Sequence, residues 1–507
     1  MIESLIRQLS KVDAYPHPAS DVEIHQTHIS AVFLAGDYAY KLKKPVDLEF
    51  VDYSTLDRRR YFCDREVELN QRLAPDVYLD VVAVVDDDGL RIETTPEEGD
   101  DVVEWAVRMR RLDESDTLLA RFDRGAIPPG IFERIGRCVA RFHGDADRGP
   151  HIAEYAAYSV VEKNAMDNFD QTRSHVGETV DPDVFDRLRR LTRRRLDELQ
   201  SVIAGRAEDG VARDTHGDLR LEHVYISGDD LWIVDCIEFN EAFRYADPVS
   251  DVAFFAMDLG FRGYDDEARQ FLDAYFQETK DDEGRRLVDF YVAYRSCVRA
   301  KVHGFKSMES EVPKPKRRQA HRKARAHWLY ALSRLEAPEQ GPELLLLAGL
   351  PAAGKSTLGR RFVDDDRVDV LIESDVVRKE LAGLDPEESA DAEFGEGIYT
   401  REFSRKTYEE VARRAGQHLE KGRRVAIAAT FVSDERRRQM IDVARRRGVP
   451  VQFLECRISQ QLAHQRLEAR TDDVSDAGID VYENLKEAWE PPSPPVARVH
   501  RVVDTSG

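Results

Sequence analysis

The spacing of apolar residues changes twice along this chain, dividing it into three stretches. Ile2, Leu5, Ile6 and Leu9 recur at helical spacing, and from His25 to Lys43 the pattern turns to strands. Ala31–Leu34 is apolar, Ala35-Gly36-Asp37 is a turn, and Tyr38–Leu42 alternates. A helix is predicted from Ser54 or Thr55, both good caps, to Leu73 ahead of Pro75. Val77–Val85, Leu90–Thr94 and Val102–Met109 read as further strands, so residues 1–111 form a small α+β lobe. After Asp113 helical periods dominate: Ile131–Phe142, Val184–Ile203, Asp266–Glu278 and Arg285–Gly304. One block interrupts them. Thr215–Ile226 leads through Gly228-Asp229-Asp230 into Leu231–Phe239, two predicted strands around a loop dense in His, Asp and Glu. Residues 112–336 are therefore a mainly helical lobe, and 337–342 has linker composition.

From 343 to 507 strands and helices alternate. Leu344–Leu347, Val368–Ile372, Arg424–Ala429, Val451–Cys456 and Val496–Val503 read as strands, and Thr357–Phe362, Ile398–Lys421 and Glu435–Arg447 as helices. This spacing predicts a parallel sheet covered by helices on both faces, with its ligand site at the carboxyl ends of the strands. The first strand runs into Gly349-Leu350-Pro351-Ala352-Ala353-Gly354-Lys355-Ser356-Thr357, which satisfies G-x-x-x-x-G-K-[ST]. A loop that turns backbone N–H groups onto phosphates needs glycine's conformational range, and the helix behind it points its positive end at the same anion. Lys355 would bridge phosphate oxygens and the Ser356 hydroxyl would ligate Mg²⁺. Ser374-Asp375 with Arg378 follows the second strand, and Arg466 and Arg470 lie one turn apart on a predicted helix.

Composition narrows the field. A chain of 507 residues exceeds a single core, and 42% hydrophobic content supports globular folding. A net charge of −22 argues against nucleic acid or an anionic membrane as partner. The basic runs Lys314–Arg325 and Arg436–Arg447 invite a nucleic-acid reading, but solvated helix faces suit so acidic a chain better. Five scattered cysteines without a C-x-x-C pair indicate a reducing compartment. No signal-peptide core and no run of roughly 20 apolar residues is found, so a cytoplasmic location is expected.

The block His216-Gly217-Asp218 with Asp235 resembles the core of the aminoglycoside phosphotransferase-like kinases, distant relatives of protein kinases. The resemblance implies Asp218 as catalytic base, Asp235 as metal ligand, Lys41 as phosphate anchor and Glu66 as its partner. The segment from Arg244 to Asp251 looks like the family's later acidic stretch. His223 stands where that family has an asparagine as second metal ligand, and Gln26–Ser30, where a glycine-rich loop would lie, holds no glycine. The C-terminal stretch is similar to P-loop kinases that phosphorylate hydroxyls: gluconate kinase, polynucleotide 5′-kinase and zeta-toxin-like enzymes, within the AAA family ATPase-like group. Asp375 is then the candidate base, Arg378 an acceptor-binding residue, and Arg466 and Arg470 lid residues over the nucleotide. That family often has an Asp where this chain has Ala428, which predicts slower turnover that Ala428→Asp would restore.

The whole resembles two-kinase fusion proteins: a bilobal protein-kinase-like fold followed by a P-loop NTPase domain. The implied function is phosphoryl transfer from ATP, with Mg²⁺, to a hydroxyl of a small-molecule acceptor in each module. A regulatory ATP-binding switch with one degenerate module, and a polynucleotide 5′-hydroxyl kinase, are the alternatives.

Overall fold

Period-two alternation builds the first sheet. Strands β1 (Val22–Gln26), β2 (Ser30–Ala35), β3 (Tyr38–Lys43), β4 (Tyr78–Asp86), β5 (Leu90–Glu93) and β6 (Val102–Arg110) pair antiparallel in the order β1-β2-β3-β6-β4-β5. Tyr40, Leu42, Val82 and Val84 share one buried cluster, and Ala83, Val85 and Val107 face the other way. Helix α1 (Leu56–Gln71) covers that second face, its first turn capped by the Thr55 hydroxyl, which accepts from the Arg58 N–H at 3.3 Å. Because successive strand residues alternate sides, Lys41 and Lys43 both point toward α1. These coordinates are a computed structural model that describes residues 2–48, 51–87, 89–385, 397–469 and 478–506.

Residues 1–161, 200–259 and 265–288 make one unit, and 162–199, 260–264 and 289–507 the other. The first unit holds the antiparallel sheet and helices α2 (Ile131–Asp145), α3 (Pro248–Phe261, as far as Leu259) and α4 (Asp265–Thr279). It also holds a hairpin of β7 (Val224–Ser227) and β8 (Asp230–Ile233). The strand predicted through Phe239 stops at Ile233, because Asp235 takes a left-handed φ of 64° and turns the chain.

In the second unit α5 (Val288–Met308) and α6 (Lys314–Leu335) precede a five-stranded sheet. Its strands are β9 (Leu344–Ala348), β10 (Val370–Glu373), β11 (Val425–Ala428), β12 (Val451–Arg457) and β13 (His500–Asp504). All pairs are parallel, in the order β10-β11-β9-β12-β13. The last strand begins at His500 rather than Val496, since Pro494–Ala497 forms a helical turn. The carboxyl half of α6 is apolar and buries Trp328, Leu329, Ala331 and Leu332. It packs closely enough on the sheet domain that a Cβ on Gly448 would lie 2.5 Å from the Ala326 carbonyl. The stretch 337–342 lies within this unit, where the Gln340 carbonyl accepts from Arg187 at 2.6 Å. Among the described residues no helix is long and apolar enough to cross a membrane.

Candidate functional site

In the first unit Lys41 is the junction. Its Nζ lies 2.7 Å from Glu66 Oε1 and 2.9 Å from Asp235 Oδ1, so the three residues expected from sequence meet at one point. A second lysine joins them. Lys43 donates to Glu66 Oε2 at 2.7 Å and to Glu238 Oε1, which also accepts from the Tyr53 hydroxyl at 2.6 Å. Glu66 is wholly buried and Lys43 is 1% exposed. Burial alone would push both lysines down, but Asp235 and Glu66 beside Lys41, and Glu238 and Glu66 beside Lys43, hold them well above the ordinary lysine value. Lys41 in turn holds the half-exposed Asp235 carboxyl far below the usual range. The loop carrying Asp235 is pinned from behind: its N–H donates to Tyr78 at 3.1 Å, and that of Cys236 to Asn70 Oδ1 at 2.9 Å.

The loop carrying Asp218 is built around a buried carboxylate. Asp251 accepts from the N–H groups of His216 at 3.1 Å and Gly217 at 3.0 Å, and His143 Nε2 lies 3.2 Å away. His216 Nδ1 accepts from the Asp218 N–H at 3.3 Å, which leaves Nε2 as the donor to the Val234 carbonyl at 3.0 Å. That tautomer is neutral, and burial pushes His216 down to about 4. Asp218 itself is gripped by Arg220 through a two-point fork at 2.8 and 2.7 Å. His223 directs Nδ1 to the Asp218 carbonyl at 2.9 Å, so Nε2 carries the lone pair, 3.2 Å from Arg220 and 3.7 Å from Asp235 Oδ2. His223 Nε2 and Asp235 Oδ2 are the groups that would hold a divalent cation here, His223 exchanging its contact with Arg220 for the metal. Among the described residues no group of three or more His, Cys, Asp or Glu is placed to hold a metal ion.

In the second unit the loop Gly349–Thr357 leaves central strand β9 and feeds α7 (Lys355–Asp364). Gly349 has φ 143°, and a Cβ there would sit 2.6 Å from the Cys456 carbonyl. Ala352 and Gly354 take left-handed φ values of 61° and 81°. This reversal curls the backbone around the end of α7, whose first-turn N–H groups have no intrahelical partner and suit an anion. Lys355 folds across its own loop to the Leu350 carbonyl at 3.0 Å. Arg466 reaches the same loop at the Ala352 carbonyl, 3.3 Å away, and the Thr505 hydroxyl donates to Ala353 at 2.6 Å. Arg470 lies outside the described residues.

Asp375 sits in the first turn of α8 (Ser374–Ala382), with Glu373 and not Asp375 at the cap position. Among the described residues its carboxylate has no hydrogen-bond or ion-pair partner. Arg378 is largely buried and spends one nitrogen on the Ile398 carbonyl at 3.0 Å and Ser404 at 3.1 Å. Glu373 was not read from sequence. It pairs in register with Ala428 and lies 3.4 Å from Arg360 of α7, bringing a carboxylate one strand over from the position where Ala428 lacks one. No spacing rule singles Glu373 out, because the strand ends there and Asp375 is already helical. Lys43 follows from strand alternation applied to Lys41. Glu238 and Tyr53 had no such signal.

A bilobal protein-kinase-like fold and a P-loop kinase domain stand in one chain, the architecture of a two-kinase fusion. Residues 344–492 match the family described as an AAA domain. The chain belongs to the family of the uncharacterized protein Rv2004c of Mycobacterium tuberculosis, with 30% identity over 468 residues, 92% of this chain and 90% of that protein. The Mycobacterium bovis protein Mb2027c matches equally. Among solved structures, a choline/ethanolamine kinase family protein from Mesorhizobium loti is similar at 15% identity and TM-score 0.40, over 67% of this chain and 95% of that one. A gluconokinase from Sinorhizobium meliloti is similar at 17% identity and TM-score 0.24, over 33% of this chain and 85% of that one.

Proposed function

We propose that the chain is an ATP-dependent kinase with two phosphotransfer modules, each moving the γ-phosphoryl group to a hydroxyl of a small molecule. The carrying observation is the convergence of Lys41, Glu66 and Asp235 in a unit that also holds Asp218, in a chain whose other unit carries a full phosphate loop. In the first module Lys41 neutralises phosphate charge while Glu66 fixes its position. Asp218 takes the acceptor's proton, with the Arg220 fork fixing the orientation of its carboxylate. Asp235 and His223 would hold the divalent cation, whose charge offsets that of the triphosphate. In the second module Lys355 and the α7 N-terminus bind the phosphates and Ser356 would hold the cation. Asp375 is the base, Arg378 borders the acceptor, and Arg466 closes over the nucleotide.

Two observations favour a regulatory reading of the first module: Arg220 occupies both oxygens of Asp218, and His223 stands where similar kinases have an amide ligand. Mass spectrometry of a metabolite pool incubated with ATP separates the two readings. Catalysis by both modules predicts two product sets, one lost in Asp218→Ala and the other in Lys355→Ala. A single set, lost only in Lys355→Ala, would leave the first module as a binding switch.

A further inference from the structure

The basic run at the start of α6 is not used by either phosphotransfer site. Lys314, Arg317, Arg318, His321 and Arg322 recur at three- and four-residue spacing and so share one helix face. With Ser307 at the end of α5 they line an open groove of about 520 Å³ that contains no carboxylate. Among the described residues none of the four lysine and arginine side chains is ion-paired. That is unusual in a chain of net charge −22. Farther along the same helix Arg325 pairs with Glu420 at 3.2 Å and Arg334 pairs with Asp289.

Two further features hold the positive charge in place. His321 Nε2 lies 3.0 Å from the Glu178 carbonyl, which anchors the middle of the face. The first turn of α6 has no acidic residue and no side-chain cap, so the positive end of the helix adds to the same field instead of being neutralised. Like charges gathered this way repel one another, and an anion with several charges relieves all of them together. The volume falls in the range of roughly 300–1,000 Å³ that holds small ligands. Exposed Lys314, Arg318 and Arg322 rim it while Arg317 and His321 are half-buried, giving it a floor as well as a rim.

We propose that the α5–α6 groove binds a small multivalent phosphate anion, such as a polyphosphate chain or a nucleotide's phosphates, at a site sharing no residue with the Gly349–Thr357 loop. The test is calorimetric titration of the full chain with inorganic tripolyphosphate. Binding is expected to persist in Lys355→Ala. It should weaken at least ten-fold when Arg318→Ala and Arg322→Ala are added, exposed positions whose replacement should leave the circular-dichroism spectrum and melting unchanged. It should also weaken steeply as potassium chloride rises from about 0.05 to about 0.3 M. Loss of all binding in Lys355→Ala alone, or binding unmoved by the arginine pair, overturns the proposal. Tighter binding of a single-stranded oligonucleotide than of tripolyphosphate overturns the small-anion assignment in favour of nucleic acid.

Discussion

Replacing Lys43 by methionine probes the buried charge cluster with little change of side-chain length. At 2.7 Å from Glu66 and an effective dielectric of about 20, one such contact is worth roughly 6 kcal/mol gross. Desolvation cancels most of this in the intact cluster. The variant keeps that desolvation and loses the cation: Glu66 retains Lys41, but Glu238 is left buried with only the Tyr53 hydroxyl. Breaking one side of a buried pair costs about 3–5 kcal/mol, which is the expected loss at neutral pH. The pH dependence follows from the sign. Burial drives Glu238 upward, and Lys43 followed by Lys41 overcomes it and holds the carboxyl below the ordinary glutamate value. A group depressed in this way adds stability above its unfolded pKa and loses it as pH falls through the folded one. In Lys43→Met burial prevails and the sign reverses, so the gap between the two proteins should widen from about pH 5 to about pH 8. Hydrogen exchange read by mass spectrometry on peptides of α1 and β3 measures the opening free energy of this unit alone. A loss below about 1 kcal/mol, or one independent of pH, would refute the reasoning.

His216 is neutral and buried, with a folded pKa near 4 against an ordinary 6.5. The first unit should therefore lose up to about 3 kcal/mol as pH falls from 6.5 to 4, and His216→Gln should flatten that part of the urea-stability profile. His223→Asn exchanges an imidazole for an amide oxygen, and Mn²⁺ affinity measured by electron paramagnetic resonance with a non-hydrolysable ATP analogue should fall about ten-fold relative to Mg²⁺. Because Glu373 lies in register beside Ala428, Ala428→Asp would set two carboxylates side by side. It should lower Lys355-dependent ATP turnover instead of restoring it, and Glu373→Gln should lower it as well.

Local, contiguous features were legible in the chain. The phosphate loop is nine consecutive residues between a strand and a helix, and each constraint on it is satisfied within that span. Lys41, Glu66, Asp218 and Asp235 were found through short motifs, and the meeting of Lys41, Glu66 and Asp235 at one junction follows from β3, α1 and the loop after β8 each carrying one piece. Lys43 was readable from strand alternation with Lys41, but Tyr53 and Glu238 escaped, because no spacing rule says which distant groups the fold brings to a buried cation. Nothing in the sequence singles out Arg220, since only three-dimensional placement shows its fork closing on Asp218. The packing of α6 was hidden for a similar reason. Its basic first half reads as a solvated helix, while the Trp328–Leu332 stretch that decides where it docks is short and apolar on all sides.

The central claim is that one chain carries two separate nucleotide sites. Equilibrium dialysis with a radiolabelled, non-hydrolysable ATP analogue counts them, in about 0.5 M potassium chloride so that exposed cations are screened. Two molecules should bind per chain, falling to one in Lys355→Ala, to one in Asp235→Ala with Lys41→Ala, and to none when the changes are combined. One molecule per chain, lost in Lys355→Ala and untouched by changes at Lys41 and Asp235, would contradict the account.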